Sequence, residues 1–324
     1  MGEAFAGKTV GKKAMLWGIL AQSIPDIDFI ASLWLTTSDN LLAHRGFTHS
    51  ILFCLLLTPI MASLAYHIHK PHNITLLKWV LFIGSAISIH LFLDAFNNYG
   101  VGWFEPFSQE RISFNTIYVA DPFFSIVPGI ALLLLLIMRQ KSLSRKWIWK
   151  FGLAAPLFYL CYSLANKFYV TVETKKILSA QNITYNKLLI TPAPLQTWLW
   201  FVVVGNDSGF YTGYRSVFDK QKKIDLTFKP QNNAIKSLVQ EPDQLNSLIR
   251  FSQGFYTLEQ RKDSIIFFDL RFGQIIGWQN PKEDYAFYYY LQPNVDNTLV
   301  VQRGRFAKWD ERSFTALKER IKGK

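Results

Sequence analysis

The sequence predicts an α-helical membrane bundle of about five spans, the first one broken, followed by an α+β extramembrane domain on a mostly antiparallel sheet. Three observations predict it. Long apolar blocks fill the chain before residue 170, and short alternating apolar runs fill the part after it. Lys and Arg gather between the long blocks rather than in one stripe. Half of the 324 residues are apolar, and the mean hydropathy is positive. The change in pattern sets the expected domains: residues 1–172 as the helical membrane part and 173–324 as the soluble part.

A bilayer span needs roughly 20 apolar residues, because a helix rises about 1.5 Å per residue. Blocks 47–66, 76–96 and 147–168 qualify, and 123–138 does so with its flanks. Block 14–35 has the length but contains "PDID". Pro25 lacks a backbone donor and disfavours a helical Ile24, so a broken helix, or a short helix followed by an interfacial segment, is expected there. After residue 180 the period becomes two. "TWLWFVVVG", "FYTGYRSVFD", "KIDLTFKP", "SIIFFDLRFG", "DYAFYYYLQP" and "TLVVQRGRF" read as strands. "EPDQLNSLIRFSQ" and "DERSFTALKERI" read as short amphipathic helices. Tyr211, Tyr214 and Arg215 offer ligand-binding chemistry, but an aromatic sheet face is more often packing surface. The domain reads as a lid over a membrane site or as an independent partner-binding module.

The formal charge is +12. No zinc-finger spacing accompanies it, and the charge flanks apolar blocks, as in "GKTVGKK" and "RQKSLSRKWIWK". Membrane topology explains that better than nucleic acid does, and no nucleic-acid partner is expected. Basic connections alternate with poor ones. Lys8, Lys12 and Lys13, then Lys70 and Lys78, then residues 139–150 are rich; 37–46 and 97–122 carry one arginine each, Arg45 and Arg111. The positive-inside rule puts the rich connections in the cytoplasm and the poor ones, with everything after residue 170, outside. Cys54 and Cys161 are the two cysteines, both in apolar blocks, and read as packed thiols. "MGEAFAGKTVGKK" is too polar for a cleavable signal peptide. No internal repeat is evident, which counts against a transporter.

With that topology the ionisable residues of several segments approach one outer face. "HRGFTHS" sets His44, Arg45 and His49 before the second span, and "HLFLDAFNNYG" sets His90 and Asp94 near the end of the third. "PDID" brings Asp26 and Asp28, and Asp121 heads the fourth span. His90 and Asp94, four apart on a helix, share a side. His44 and His49 would splay by about 140° on a straight helix and meet only if a loop turns into a helix at Thr48. Each has a plain alternative: a His–Asp bond tying helices, Asp26 or Asp28 as a cap, Thr48 as an N-cap, Asp121 as the cap before Pro122. His67, His69 and His72 suit a polar cytoplasmic loop. Together, imidazoles and carboxylates from distant segments form a ligand set for zinc, manganese or iron. The expected ligands are Asp26, Asp28, His44, His49, His90 and Asp94, with Asp121 as a possible addition. Asp26 and Arg45 are the expected catalytic residues, Arg45 holding an anionic group such as phosphate. Metal-activated water would serve as nucleophile, since no Ser or Cys nucleophile motif is evident.

"GKKAMLWGILAQSIPDIDFI", "HRGFTHSILF", "HLFLDAFNNYGVGWFEPFS" and "YVADPFF" resemble the YdjM-type family of bacterial inner-membrane, metal-dependent hydrolases. "TPAPLQTWLWFVVV" and "GFYTGYRSVFD" resemble the C-terminal part of its long members, so the resemblance covers most of the chain. It implies a helical core distantly similar to zinc-dependent phospholipase C and P1-type nucleases. It also implies a multi-pass inner-membrane location and a phosphoester, lipid-like substrate, with membrane lipids as surroundings. A member type linked to the DNA-damage repressor LexA implies the alternative: a non-catalytic membrane protein with a structural polar or metal cluster and a partner-binding or regulatory outer domain. Family members begin about one helix earlier, with a "DSLTH"-like segment. A late-assigned start, or a site lacking one ligand, is therefore expected.

Overall fold

The structure, a computed structural model, describes residues 1–70, 74–292, 297 and 307–324. The chain forms two compact units. The first comprises residues 1–36, 42–114 and 120–161; the second comprises 37–41, 115–119 and 162–324.

The first unit is helical. Helices α1 (Gly2–Val10) and α2 (Lys13–Ser23) are followed by a 3-10 segment, Ile24–Leu33, with Pro25 in its first turn. The break expected at "PDID" falls there, and it leaves α2 at 11 residues, too short for a span. After α3 (Thr37–Ala43), most of which belongs to the second unit, a 3-10 turn, Phe47–His49, leads into α4 (Ile51–Ile68). The N-cap of α4 is Ser50, whose Oγ accepts from Phe53 N at 3.0 Å, rather than Thr48. Helix α5 (Leu76–Asp94) is capped by Thr75. Helix α6 (Pro122–Ile137) has 16 residues, and α7 (Arg145–Ala180) has 36.

Among the described residues, α4, α5 and α7 are long and apolar enough to cross a membrane, and α6 is a shorter apolar helix. That is three candidate spans, where the block pattern led to about five. The difference lies in Pro25, which splits the first block, and in Met138, whose extended backbone ends α6. Ala6, Ala14, Ala21, Ala62, Ala65 and Ala86 line the contacts among α1, α2, α4 and α5, around Trp79 and Phe82. Small residues let helices approach closely where no hydrophobic drive exists between them and lipid. Arg145 forms a buried ion pair with Glu3, Nη2 to Oε2 at 2.6 Å, joining α7 to α1.

The second unit carries two antiparallel sheets, where the sequence suggested one. The first, in order β1-β2-β3-β4, comprises β1 (Lys187–Pro192), β2 (Leu199–Gly205), β3 (Gly209–Ser216) and β4 (Thr227–Pro230). The second, β5-β6-β7, comprises β5 (Tyr256–Arg261), β6 (Ser264–Gln274) and β7 (Tyr285–Tyr290). Helix α8 (Pro242–Phe251) and helix α9 (Glu311–Ile321) complete it. The expected strand "TLVVQRGRF" lies outside the described residues. Every side chain of β2 is buried. Leu199, Phe201 and Val203 face a core shared with β6, whereas Trp200, Val202 and Val204 face Val170 and Leu178 of α7. That second contact explains why α7 runs on past residue 172 to Ala180.

Candidate metal centre

Pro25 decides the local geometry. It ends α2 and starts a tighter helix of about three residues per turn. Asp26 and Asp28, two apart, therefore diverge by about 120°, and they reach opposite nitrogens of one ring. Asp26 Oδ1 lies 3.4 Å from His49 Nε2, and Asp28 Oδ2 lies 3.3 Å from His49 Nδ1. His90 and Asp94 come from the last two turns of α5, one above the other. Their Nε2 and Oδ2 close on the same point.

Four atoms converge: Asp26 Oδ1, His49 Nε2, His90 Nε2 and Asp94 Oδ2. The two imidazole nitrogens are 3.2 Å apart. His49 Nε2 is 3.4 Å from both carboxylate oxygens, and His90 Nε2 is 3.6 Å from both. A tetrahedral ion with bonds of about 2.0–2.1 Å separates its ligand atoms by about 3.3–3.4 Å. The group thus has the donor types of a divalent-metal site, with five of its six edges near tetrahedral length, and all four atoms lie within 4.8 Å of one another. Asp94 Oδ2 is buried and lacks a hydrogen-bond partner, as expected of an oxygen aimed at a cation. His49 is fully buried, while Asp26 is half exposed, so one side of the site is open.

Asp28 stands behind this group. Its Oδ2 accepts from Arg45 N at 2.8 Å and from Thr48 Oγ1 at 3.2 Å, and its Oδ1 lies 3.1 Å from His44 Nδ1. A carboxylate on the far nitrogen of a ligating histidine fixes its tautomer and orientation. Burial opposes charge on Asp28, yet hydrogen bonds from His44 and His49 hold its carboxyl well below the usual range. Burial likewise opposes charge on His49, but the carboxylates of Asp26, Asp28 and Asp94, 3.3–3.4 Å from its ring nitrogens, push it up to about 10.

Of the expected ligands, the structure brings Asp26, His49, His90 and Asp94 into one group. It places Asp28 and His44 beside that group, His44 joined to Asp28. Asp121 sits apart as the N-cap of α6. Its Oδ1 accepts from Phe123 N and Phe124 N, and its Oδ2 accepts from Tyr159 at 2.7 Å. Arg45 Nε lies 3.1 Å from Asp94 Oδ2, and the guanidinium sits 5.1 Å from the Tyr99 ring centre. The approach to Asp94 lacks hydrogen-bond geometry, and Arg45 Nε and Nη1 are buried without a hydrogen-bond partner. The backbone of Arg45 is left-handed, φ 59°. His67 and His69 are elsewhere: His69 accepts from Trp17 Nε1 at 3.0 Å and stacks on Trp79. His72 lies outside the described residues.

Arg111 is the contributor that sequence reasoning overlooked. Buried, it donates to the carbonyls of Leu42, His44 and Gly100 at 2.8–2.9 Å and so clamps the loop carrying His44 and Arg45. Its signal was there to read, as the one basic residue of the long 97–122 connection.

A family model described as YdjM inner membrane protein matches residues 1–169. The chain belongs to this family. The match takes in every residue of the four-atom group and stops short of the sheets. Two similar proteins are protein YfhP of Bacillus subtilis (strain 168) and inner membrane protein YbcI of Escherichia coli (strain K12). YfhP is 32% identical over 113 residues, 35% of this chain and 33% of its own length. YbcI is 26% identical over 113 residues, 34% of this chain and 64% of its own length. The chain therefore spans about a third of YfhP and just under two thirds of YbcI. No solved structure matches it. Family and apolar helices together make it a membrane protein.

Proposed function

We propose that this YdjM-family protein is a membrane-bound, metal-dependent hydrolase acting on a phosphoester of lipid-like character. The observation that carries the reading is the convergence of Asp26, His49, His90 and Asp94 at tetrahedral spacing with one side open. Catalytic metal sites pair three protein ligands with an open position for water; His49, His90 and Asp94 would fill those three places and leave the half-exposed Asp26 carboxylate at the open side. A divalent ion held there, zinc foremost with manganese or iron as alternatives, supplies Lewis-acid stabilisation of a phosphoryl group and activates water.

The chain's own residues supply the rest. Asp28 holds the His49 ring so that Nε2 faces the group. The half-exposed Asp26 carboxylate is the base within reach of an entering water. Arg45 brings buried donors without hydrogen-bond partners to the edge of the site, the arrangement a phosphate oxygen would satisfy. The Lys/Arg bias of the connections supports a bacterial inner-membrane protein with this site and the sheet-bearing unit on the periplasmic side.

Metal analysis and phosphodiester turnover on the purified protein test the reading together. Wild type should hold a stoichiometric divalent ion and cleave bis(p-nitrophenyl) phosphate; Asp94→Asn and His49→Ala should lose both. Bound metal with no turnover of any phosphoester would leave a structural cluster and end the hydrolase proposal. Lys223→Cys should react with a membrane-impermeant thiol reagent added outside the cell; protection there would reverse the orientation.

A further inference from the structure

A second feature of the helical unit lies beside the metal group and has no part in it. An apolar groove of about 400 Å³ runs among α1, α2, α5, α6 and α7, within the range of about 300–1,000 Å³ typical of ligand sites. Its lining includes Gln22 and Leu93, which precede Asp26 by one turn and Asp94 by one residue. It follows α6 from Phe124 to Leu135, a distance of about 16 Å along the helix axis. Gly129 lines its open side, and a side chain there would meet nothing within 4 Å.

We propose that this groove holds one hydrocarbon chain of a bilayer lipid, threaded so that the polar end of that lipid reaches the Asp26–His49–His90–Asp94 group. The occupant follows from the surroundings. An apolar void of this size is costly when empty, because its lining atoms lose their dispersion partners. Water is a poor filler where so few polar partners line the space. Two of its walls, α5 and α7, are long and apolar enough to span, and its open side is at the exposed Gly129 of the apolar α6, so the apolar chains at hand are those of lipid.

The rim of the site carries the same message. The 3-10 segment that turns Asp26 and Asp28 inward turns Phe29 and Leu33 outward, 69% and 80% exposed, with Trp34 just beyond at 68%. Phe47 beside His49, and Phe107 in the loop that follows α5, are exposed as well. Such aromatic and aliphatic side chains around a polar opening suit the headgroup level of a membrane. A molecule entering there would be amphiphilic, with its headgroup at the carboxylates and imidazoles and its tail in the groove.

The proposal takes its polar end from the reading of the four-atom group as the reacting centre, but the groove is testable by itself. Protein in nanodiscs would be irradiated with a phosphatidylglycerol carrying a diazirine at the end of one acyl chain, and the labelled residues mapped by mass spectrometry. Label is expected on the buried Leu135 in the groove as well as on the outward Leu133 and Ile137. Gly129→Trp, which fills open space without a backbone clash, should cut groove labelling about tenfold while leaving the outward labels and the metal content as in wild type. Gly129→Ala should label like wild type. Label confined to Leu133 and Ile137, or groove labelling unaffected by Gly129→Trp, overturns the proposal. Asp94→Asn should lose metal yet keep groove labelling, so failure of the hydrolase reading and failure of the groove are seen separately.

Discussion

Replacing Asp28 by asparagine should weaken metal binding by about 10–100-fold without abolishing it, the usual cost of losing a partner behind a ligating histidine. Three contacts meet on one oxygen of Asp28: Arg45 N, Thr48 Oγ1 and His49 Nδ1, at 2.8, 3.2 and 3.3 Å. The other oxygen meets only His44. An asparagine with its carbonyl in the first position keeps all three and turns its amide toward His44, so shape is retained and only charge is lost. A loss of 10–100-fold corresponds to about 1.4–2.7 kcal/mol. Asp94→Asn, by contrast, strips charge from the converging group itself and should leave no tight binding. His44→Ala touches only the outer oxygen of Asp28 and should stay within a few-fold of wild type. Titration of zinc against a chromophoric chelator, with detergent-solubilised protein at fixed pH and salt, reads all three. Wild-type affinity in Asp28→Asn would mean that the carboxylate does not orient His49. A loss as complete as that of Asp94→Asn would make Asp28 a ligand, and the two-layer reasoning would fail.

Arg111→Met should strand several loop carbonyls, cost at least about 3 kcal/mol, and lower zinc affinity as the His44–His49 loop loosens; thermal melts and the same titration report both. Asp121→Ala should cost about 1–2 kcal/mol as a lost helix cap and leave zinc affinity unchanged; a fall in affinity would bring Asp121 into the metal site. In the sheet-bearing unit, hydrogen bonds from Arg261 hold the Asp284 carboxyl low against the effect of burial. A depressed carboxylate stabilises above its unfolded pKa of about 3.9 and loses that contribution as pH falls through the folded value. Asp284→Asn should therefore destabilise at pH 7, by less than about 1 kcal/mol because the pair is over a third exposed. The difference from wild type should shrink in denaturation curves as pH falls below the unfolded value of about 3.9.

The parts of this protein that follow from periodicity could be read without coordinates. Proline at position 25 had to interrupt a helix, and His90 and Asp94 had to share a side of α5. The alternating runs of β2, β3, β4, β6 and β7 announced strands. Strands β1 and β5 went unread because "KLLITP" and "YTLEQR" are too mixed to show alternation. The division of labour between Asp26 and Asp28 was likewise hidden. It depends on the tighter winding of a 3-10 turn and on which nitrogen of His49 each carboxylate meets, and spacing alone does not encode either. Thr48 looked like the cap of α4 because it precedes an apolar run, yet Ser50 takes that place and frees Thr48 for Asp28. Arg111 stood out as the one basic residue of its connection, but nothing local says which loop carbonyls, far back in the chain, such a clamp will reach.

Arg45 adopts a backbone shape that glycine takes at no steric cost, and an arginine there gives up about 1–3 kcal/mol. Directed evolution for heat resistance alone should therefore favour Arg45→Gly, yielding a hardier protein stripped of the guanidinium beside Asp94. The chain keeps the less comfortable residue, the trade expected of a protein in which, as proposed, that guanidinium meets a phosphate.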